Sequence, residues 1–164
     1  MARRPSKSPG GEKPDAGGTA RGRALRLLAR REHGAAELKH KLAARGIEPN
    51  QAAEAVGALA QAGWQSDARY VASLIRLRVS QFYGPLRIEA ELEAAGVADS
   101  LVRQSLAELD IDWNALAADL HARKFGEPPG SAAEWQKQYR YFAGRGFDSS
   151  QINAVLRHAP DDAP

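Results

Sequence analysis

Apolar residues recur at helical spacing along almost all of the chain after residue 21. Ala52, Val56 and Leu59 stand at i, i+4 and i+7, and Val102, Leu106 and Leu109 repeat that spacing fifty positions later. Such spacing gathers side chains into one stripe along a helix. Alternating strand patterns and Asn-Gly hairpin turns are missing. The pattern predicts helices over 22–33, 35–45 and 49–62, then 67–82, 85–95 and 99–109, then 113–124, 132–144 and 149–158.

The fifty-residue spacing extends to glycines. Gly46-Ile47, Gly96-Val97 and Gly146-Phe147 stand in register, with Leu42, Leu92 and Phe142 four residues before each glycine. Ala52, Val102 and Ile152 correspond, as do Val56, Leu106 and Leu156. A fixed period of this length predicts repeated supersecondary units. Each glycine follows an apolar helical segment and precedes a new start signal. It therefore occupies the position after a helix end, where left-handed backbone is cheap for glycine. The next residue, Ile47, Val97 or Phe147, can pack back on the helix just ended. The start signals include Pro49 and Pro85 at first helical positions. Ser66 or Asp67 caps the following helix, and Ser131 with Glu134, and Asp148 with Gln151, read as capping boxes.

The expected organisation is a disordered basic tail over 1–21 and three-helix repeats over 22–64, 65–112 and 113–160. The fold class is all-α, with the repeats forming an elongated array, straight or curved. The third repeat departs from the period. Gly34 and Gly84 lie twelve residues before Gly46 and Gly96, whereas Gly126 lies twenty before Gly146, so a surface loop is expected near Pro128-Pro129. A unit of this size buries little apolar area by itself. Stacking of neighbours should complete the core, with Trp64 and Trp113 packing at the junctions.

Charge is uneven. Residues 1–23 hold six basic and two acidic residues, leaving seventeen basic and eighteen acidic in the rest of the chain, which is net +3 overall. The basic character lies in a Pro-, Gly- and Ser-rich tail that cannot build a core. It is either a solvated leader or a loose contact with nucleic acid or an acidic partner. No apolar run approaches a membrane span, and no apolar signal core precedes the first helix. With no cysteine, disulfides and thiolate chemistry are excluded. A monomeric cytoplasmic protein is expected.

Candidate chemistry is sparse. Phosphate-binding glycine loops and metalloprotease motifs are missing. His33, His40, His121 and His158 are scattered and are expected at the surface or at helix ends. Glu89 and Glu93 share a solvated helix face, and Arg87 can pair with Glu91 at i, i+4. Neither a catalytic site nor a cofactor site is expected. Arginine faces recur instead. Arg23, Arg26 and Arg30 share a face of the first helix. Arg69 and Arg76 line the fourth helix with Ser73 and Ser80. Lys137, Arg140 and Arg145 surround Tyr139 and Tyr141. Guanidinium forks fit phosphate and carboxylate alike. These eight basic residues are the candidate partner-binding set, against an ordinary solvated helix face as the alternative.

Three stretches resemble the RecX family of recombinase regulators. The first is Gly63-Trp64-Gln65-Ser66-Asp67-Ala68-Arg69-Tyr70, followed by Arg76-Leu77-Arg78. The second runs from Tyr83-Gly84-Pro85-Leu86-Arg87-Ile88-Glu89-Ala90-Glu91-Leu92 to Gly96-Val97. The third is Lys137-Gln138-Tyr139-Arg140-Tyr141-Phe142-Ala143-Gly144-Arg145-Gly146-Phe147. The resemblance covers residues 22 to 159. It implies tandem three-helix repeats that bind the RecA filament on single-stranded DNA. It also implies restraint of filament growth, strand exchange, ATP hydrolysis and co-protease activity, with no catalytic residues. The long basic tail departs from the family pattern. A helical protein acting directly on DNA is the second reading from the residues alone.

Overall fold

The computed structural model describes residues 18–157. The expected tail therefore lies almost wholly outside the described residues, as does His158. The described residues hold nine helices and no strand: α1 (Ala20–Leu28), α2 (Ala35–Ala43), α3 (Pro49–Gln61), α4 (Asp67–Ser80), α5 (Pro85–Ala94), α6 (Asp99–Leu109), α7 (Trp113–Lys124), α8 (Ala132–Arg145) and α9 (Ser149–Leu156).

Local chemistry sets the ends. Thr19, Ser66, Asp112, Ser131 and Asp148 each accept a backbone N–H of the helix they open. Asp148 and Gln151 form the full reciprocal box. Ser131 forms half of one, because Glu134 reaches back to the N–H of Gly130 at 2.8 Å. The first helix is shorter than its pattern. It stops at Leu28, and His33 leaves the helical path to lie buried between α1 and α2.

The glycine prediction holds in detail. Gly46, Gly96 and Gly146 have φ of 83°, 77° and 93°. At each, the next amide bonds five residues back, Ile47 to Leu42, Val97 to Leu92 and Phe147 to Phe142, at 3.1–3.2 Å. The glycine amide itself bonds three residues back, at 2.9–3.0 Å. This paired closure is the Schellman motif. Leu42, Leu92 and Phe142 are fully buried, and Ile47, Val97 and Phe147 pack in the same clusters.

The core is divided by repeat. Ala24, Leu38, Leu42, Ala52, Val56 and Leu59 form one buried cluster. Val71, Ile75, Ile88, Leu92 and Val102 belong to a second. Ala117, Leu120, Phe142, Phe147, Ile152 and Leu156 belong to a third. Each unit thus assembles its own interior, contrary to the expectation that stacking completes a shared core. Two neighbours do contribute at the edges: Trp113 packs against the second cluster and Phe82 against the third. Trp64 does neither. It is 60% exposed, although it follows the same Schellman closure, with Gly63 in the place of the glycine.

The joints between units repeat as well. The C-terminal end of each later middle helix meets the N-terminal end of the preceding middle helix. Gly96 at the end of α5 faces Ala36 of α2, and Gly146 at the end of α8 faces Arg87 of α5. Gly34 and Gly84 are the N-caps of α2 and α5, and neither offers a side-chain acceptor. The neighbouring unit supplies one instead. Asp67 accepts the N–H of Ala35 at 2.8 Å. The carbonyls of Arg145 and Gly146 accept the N–H groups of Gly84 and Leu86 at 2.8 and 3.0 Å. Opposite helix ends in contact are also favourable electrostatically.

Candidate functional site

The eight basic residues divide into two kinds. Arg69 and Arg145 are held in the joints. Arg69 Nε donates to Glu32 at 2.9 Å, and its Nη2 donates to the carbonyls of Gly63 and Trp64. This ties α4 to the first unit. Arg145 donates to the carbonyls of Phe82 and Gln81. Its guanidinium lies 4.0 Å from the Tyr83 ring centre, and that of Arg87 lies 4.5 Å from it. Tyr83 is thus a shared cation–π platform at the second joint.

The other six sit in three places. Arg23 and Arg26 of α1 and Arg30, which lies in the turn beyond the end of α1 and not on the helix face expected for it, converge with Arg45, at the end of α2, around Leu27 in an open groove. Arg23 donates to the carbonyl of Arg45 at 3.1 Å. Arg76 is exposed on α4 beside exposed Ser73 and Ser80. Lys137 and Arg140 are exposed on α8. There, Trp135 stacks on Tyr139 with ring centres 5.0 Å apart. The α8 face therefore alternates half-buried aromatic surface with cationic tips.

Sequence reasoning missed Arg45, which lies outside any periodic arginine face and joins the first group only through the turn after α2. It also missed Arg78 and Glu91. Arg78 donates twice to the Glu91 carboxylate, at 2.6 and 2.8 Å, and clamps α4 to α5. Glu91 consequently pairs with Arg78 and not with Arg87. That bidentate bond holds the Glu91 carboxyl below the usual carboxylate range against the opposing effect of burial.

A second polar cluster surrounds His33. Its Nδ1 lies 3.0 Å from the carbonyl of Arg31, which fixes the proton on Nδ1, and its Nε2 accepts from Lys41 at 3.3 Å. Glu37 receives Arg31 at 2.5 Å and Lys41 at 2.9 Å. Burial pushes the His33 imidazole below its ordinary value. Burial would raise the Glu37 carboxyl, but the hydrogen bonds from Arg31 and Lys41 outweigh it and hold the group low. Two of the four histidines are therefore interior. His33 is 2% exposed, and His121 lies in α7 against Gln138 at 2.9 Å. Gln65 joins the cluster to the joint by donating to the carbonyl of His33 and to Asp67.

Such an arrangement offers convergent cations on exposed helices and a rigid, polar-tied spacing between units. It is suited to recognising anionic groups on a large partner. Among the described residues, no helix is long and apolar enough to cross a membrane.

Known proteins share this plan. Residues 20–59, 66–106 and 110–156 match family models described as the first, second and third three-helix domains of RecX. Regulatory protein RecX of Stenotrophomonas maltophilia is 43% identical over 85% of this chain and 86% of its own length. Regulatory protein RecX of Xanthomonas campestris pv. campestris is 46% identical over 85% and 87%. The crystal structure of RecX from Lactobacillus salivarius superposes with a TM-score of 0.67 at 21% identity, covering 84% of this chain and 92% of that one. The last comparison bears on the fold alone.

Proposed function

The chain belongs to the RecX family, and from that premise we propose that it is a negative regulator of the RecA recombinase. It binds the RecA filament on single-stranded DNA and limits filament growth, strand exchange, ATP hydrolysis and co-protease activity. It acts by occupancy and not by catalysis. The observation that carries this reading is the tandem array itself: three family-matched units tied by polar joints, each presenting exposed cations. A filament offers the same acidic or phosphate groups at regular intervals. A repeat array meets them at regular intervals too.

The test is direct. Added to preassembled RecA filaments, the protein should slow growth seen by light scattering and lower ATP turnover. Unchanged growth and turnover at stoichiometric excess overturn the reading. The contribution of DNA is separable by salt. If several phosphates are contacted on single strands, the logarithm of affinity falls against the logarithm of salt with a slope of about −0.7 per contact. A steep slope without RecA favours direct DNA binding as the principal activity.

A further inference from the structure

At both internal joints the C-terminal end of a middle helix lies against the N-terminal end of another, and at the second joint it caps that helix. At the end of α8, the carbonyls of Arg145 and Gly146 take the first amides of α5. At the end of α5, Gly96 lies against α2. The third such end, at α2, meets no helix N-terminus among the described residues. A Cβ placed on Gly46 would meet nothing within 4 Å among the described residues, and both Arg45 and Gly46 are exposed. The carbonyl of Arg45, equivalent to the one that receives Gly84, is held by the Arg23 side chain.

We propose that this end of α2, with Arg30 and Arg45 around it, docks the N-terminus of a helix on a partner protein whose first turn is acidic. The proposal rests on the reading that the basic cluster of the first unit meets a protein partner, and it specifies that partner's chemistry. Geometry comes from the internal joints. Charge comes from the arginines: helix N-termini favour Asp and Glu in the first turn, and those carboxylates match guanidinium forks. A second copy of this chain is a poor fit. The helix that would continue the row is α8, and its N-terminus is already closed by its own Ser131 and Glu134. Glycine N-caps mark the internal joints, whereas a serine marks this outer end.

The experiment uses the full chain and two labelled helical peptides of about sixteen residues, long enough to hold helix in water. They share one composition; three acidic residues lie in the first turn of one and in the last turn of the other. In fluorescence anisotropy at low salt, the first should bind about tenfold more tightly. Arg30→Gln with Arg45→Gln should weaken it about tenfold, with the circular dichroism spectrum unchanged. Equal affinity for both peptides overturns the proposal, since it would mean diffuse attraction only. So does tighter binding of a single-stranded oligonucleotide to the same residues. So does self-association, seen by light scattering, that the double variant abolishes. A filament assay run in parallel keeps the two readings apart. Peptide docking without filament restraint removes the RecA reading alone, and restraint that survives without peptide docking removes this one alone.

Discussion

The backbone amide of Leu86 donates to the carbonyl of Gly146 at 3.0 Å, across sixty residues of sequence. That bond, with its companion from Gly84 to Arg145, makes the end of α8 the cap of α5. The contact is between backbones, so it tolerates almost no side-chain volume. A Cβ on Gly84 would lie 2.4 Å from Gly146, and a Cβ on Gly146 would lie 2.4 Å from the Cβ of Arg87. Gly84 has φ of −81°, which any residue adopts. Its requirement is closeness, not conformation.

The three period glycines should therefore differ in what they tolerate. Gly46→Ala meets only the left-handed backbone and should cost about 1 kcal/mol. Gly96→Val adds a contact with Ala36, 3.2 Å from its Cβ, and should cost at least that much. Gly146→Ala carries both backbone strain and a collision with Arg87, about 3 kcal/mol together. Urea unfolding of the three variants gives the order. Equal losses would show that the second joint is not the close contact described.

Asp67 closes the first joint with a side chain where the second uses carbonyls. It accepts from Ala35 at 2.8 Å and from Gln65 at 2.9 Å. Asp67→Ala leaves the first amide of α2 without its acceptor and should cost about 1–2 kcal/mol. Asp67→Asn keeps an acceptor oxygen and should recover most of it. Equal destabilisation by both variants would place the effect in the carboxylate charge instead.

Acid should weaken the first unit in two steps. His33 has its folded pKa below the unfolded value of 6.5. Protons therefore bind the unfolded chain more readily. The stability His33 contributes is complete above about pH 6.5 and declines as pH falls toward the folded value. Glu37 is also depressed, from 4.5, so its contribution is present above that value and is lost below it. Stability, and the melting temperature with it, should fall as pH drops below about 6.5, by at most about 1.4 kcal/mol per pH unit from His33. His33→Gln should flatten this upper window and leave the lower one. An unchanged slope in the variant would assign the upper window to another group.

Much of this fold was legible in the chain because its determinants are local. Pro49, Pro85, Ser66 and Asp148 act within one helical turn, and the glycine at 46, 96 and 146 closes the helix that immediately precedes it. The joints were not legible in the same way. A guanidinium serves carboxylate, phosphate or carbonyl equally, so nothing local marks Arg69 and Arg145 as ties between units. His33 lay hidden for a related reason: its burial depends on Gln65 and the α4 terminus arriving from the next unit. One signal was available. Gly34 and Gly84 stand where an N-cap side chain is expected, and a helix start without its own acceptor calls for one from elsewhere.

The division of the basic residues decides which substitutions can report on binding. Arg69→Glu and Arg145→Glu would break joints, since Arg69 holds Glu32 and Arg145 holds the carbonyl of Phe82. Any loss of function there is confounded by loss of structure. Arg76 and Arg140 are exposed on α4 and α8, clear of both joints. Arg76→Glu with Arg140→Glu should change stability by no more than about 0.5 kcal/mol and leave helicity intact. It should raise the protein concentration needed to restrain RecA filaments roughly tenfold, because each reversal replaces attraction with repulsion toward an anionic surface. Titration of filament ATPase with the wild-type and doubly substituted proteins, alongside thermal melts, measures both quantities. Full inhibition by a stably folded double variant would move the binding face off α4 and α8. Arg30 and Arg45, exposed beside Leu27, would then be the group to test next.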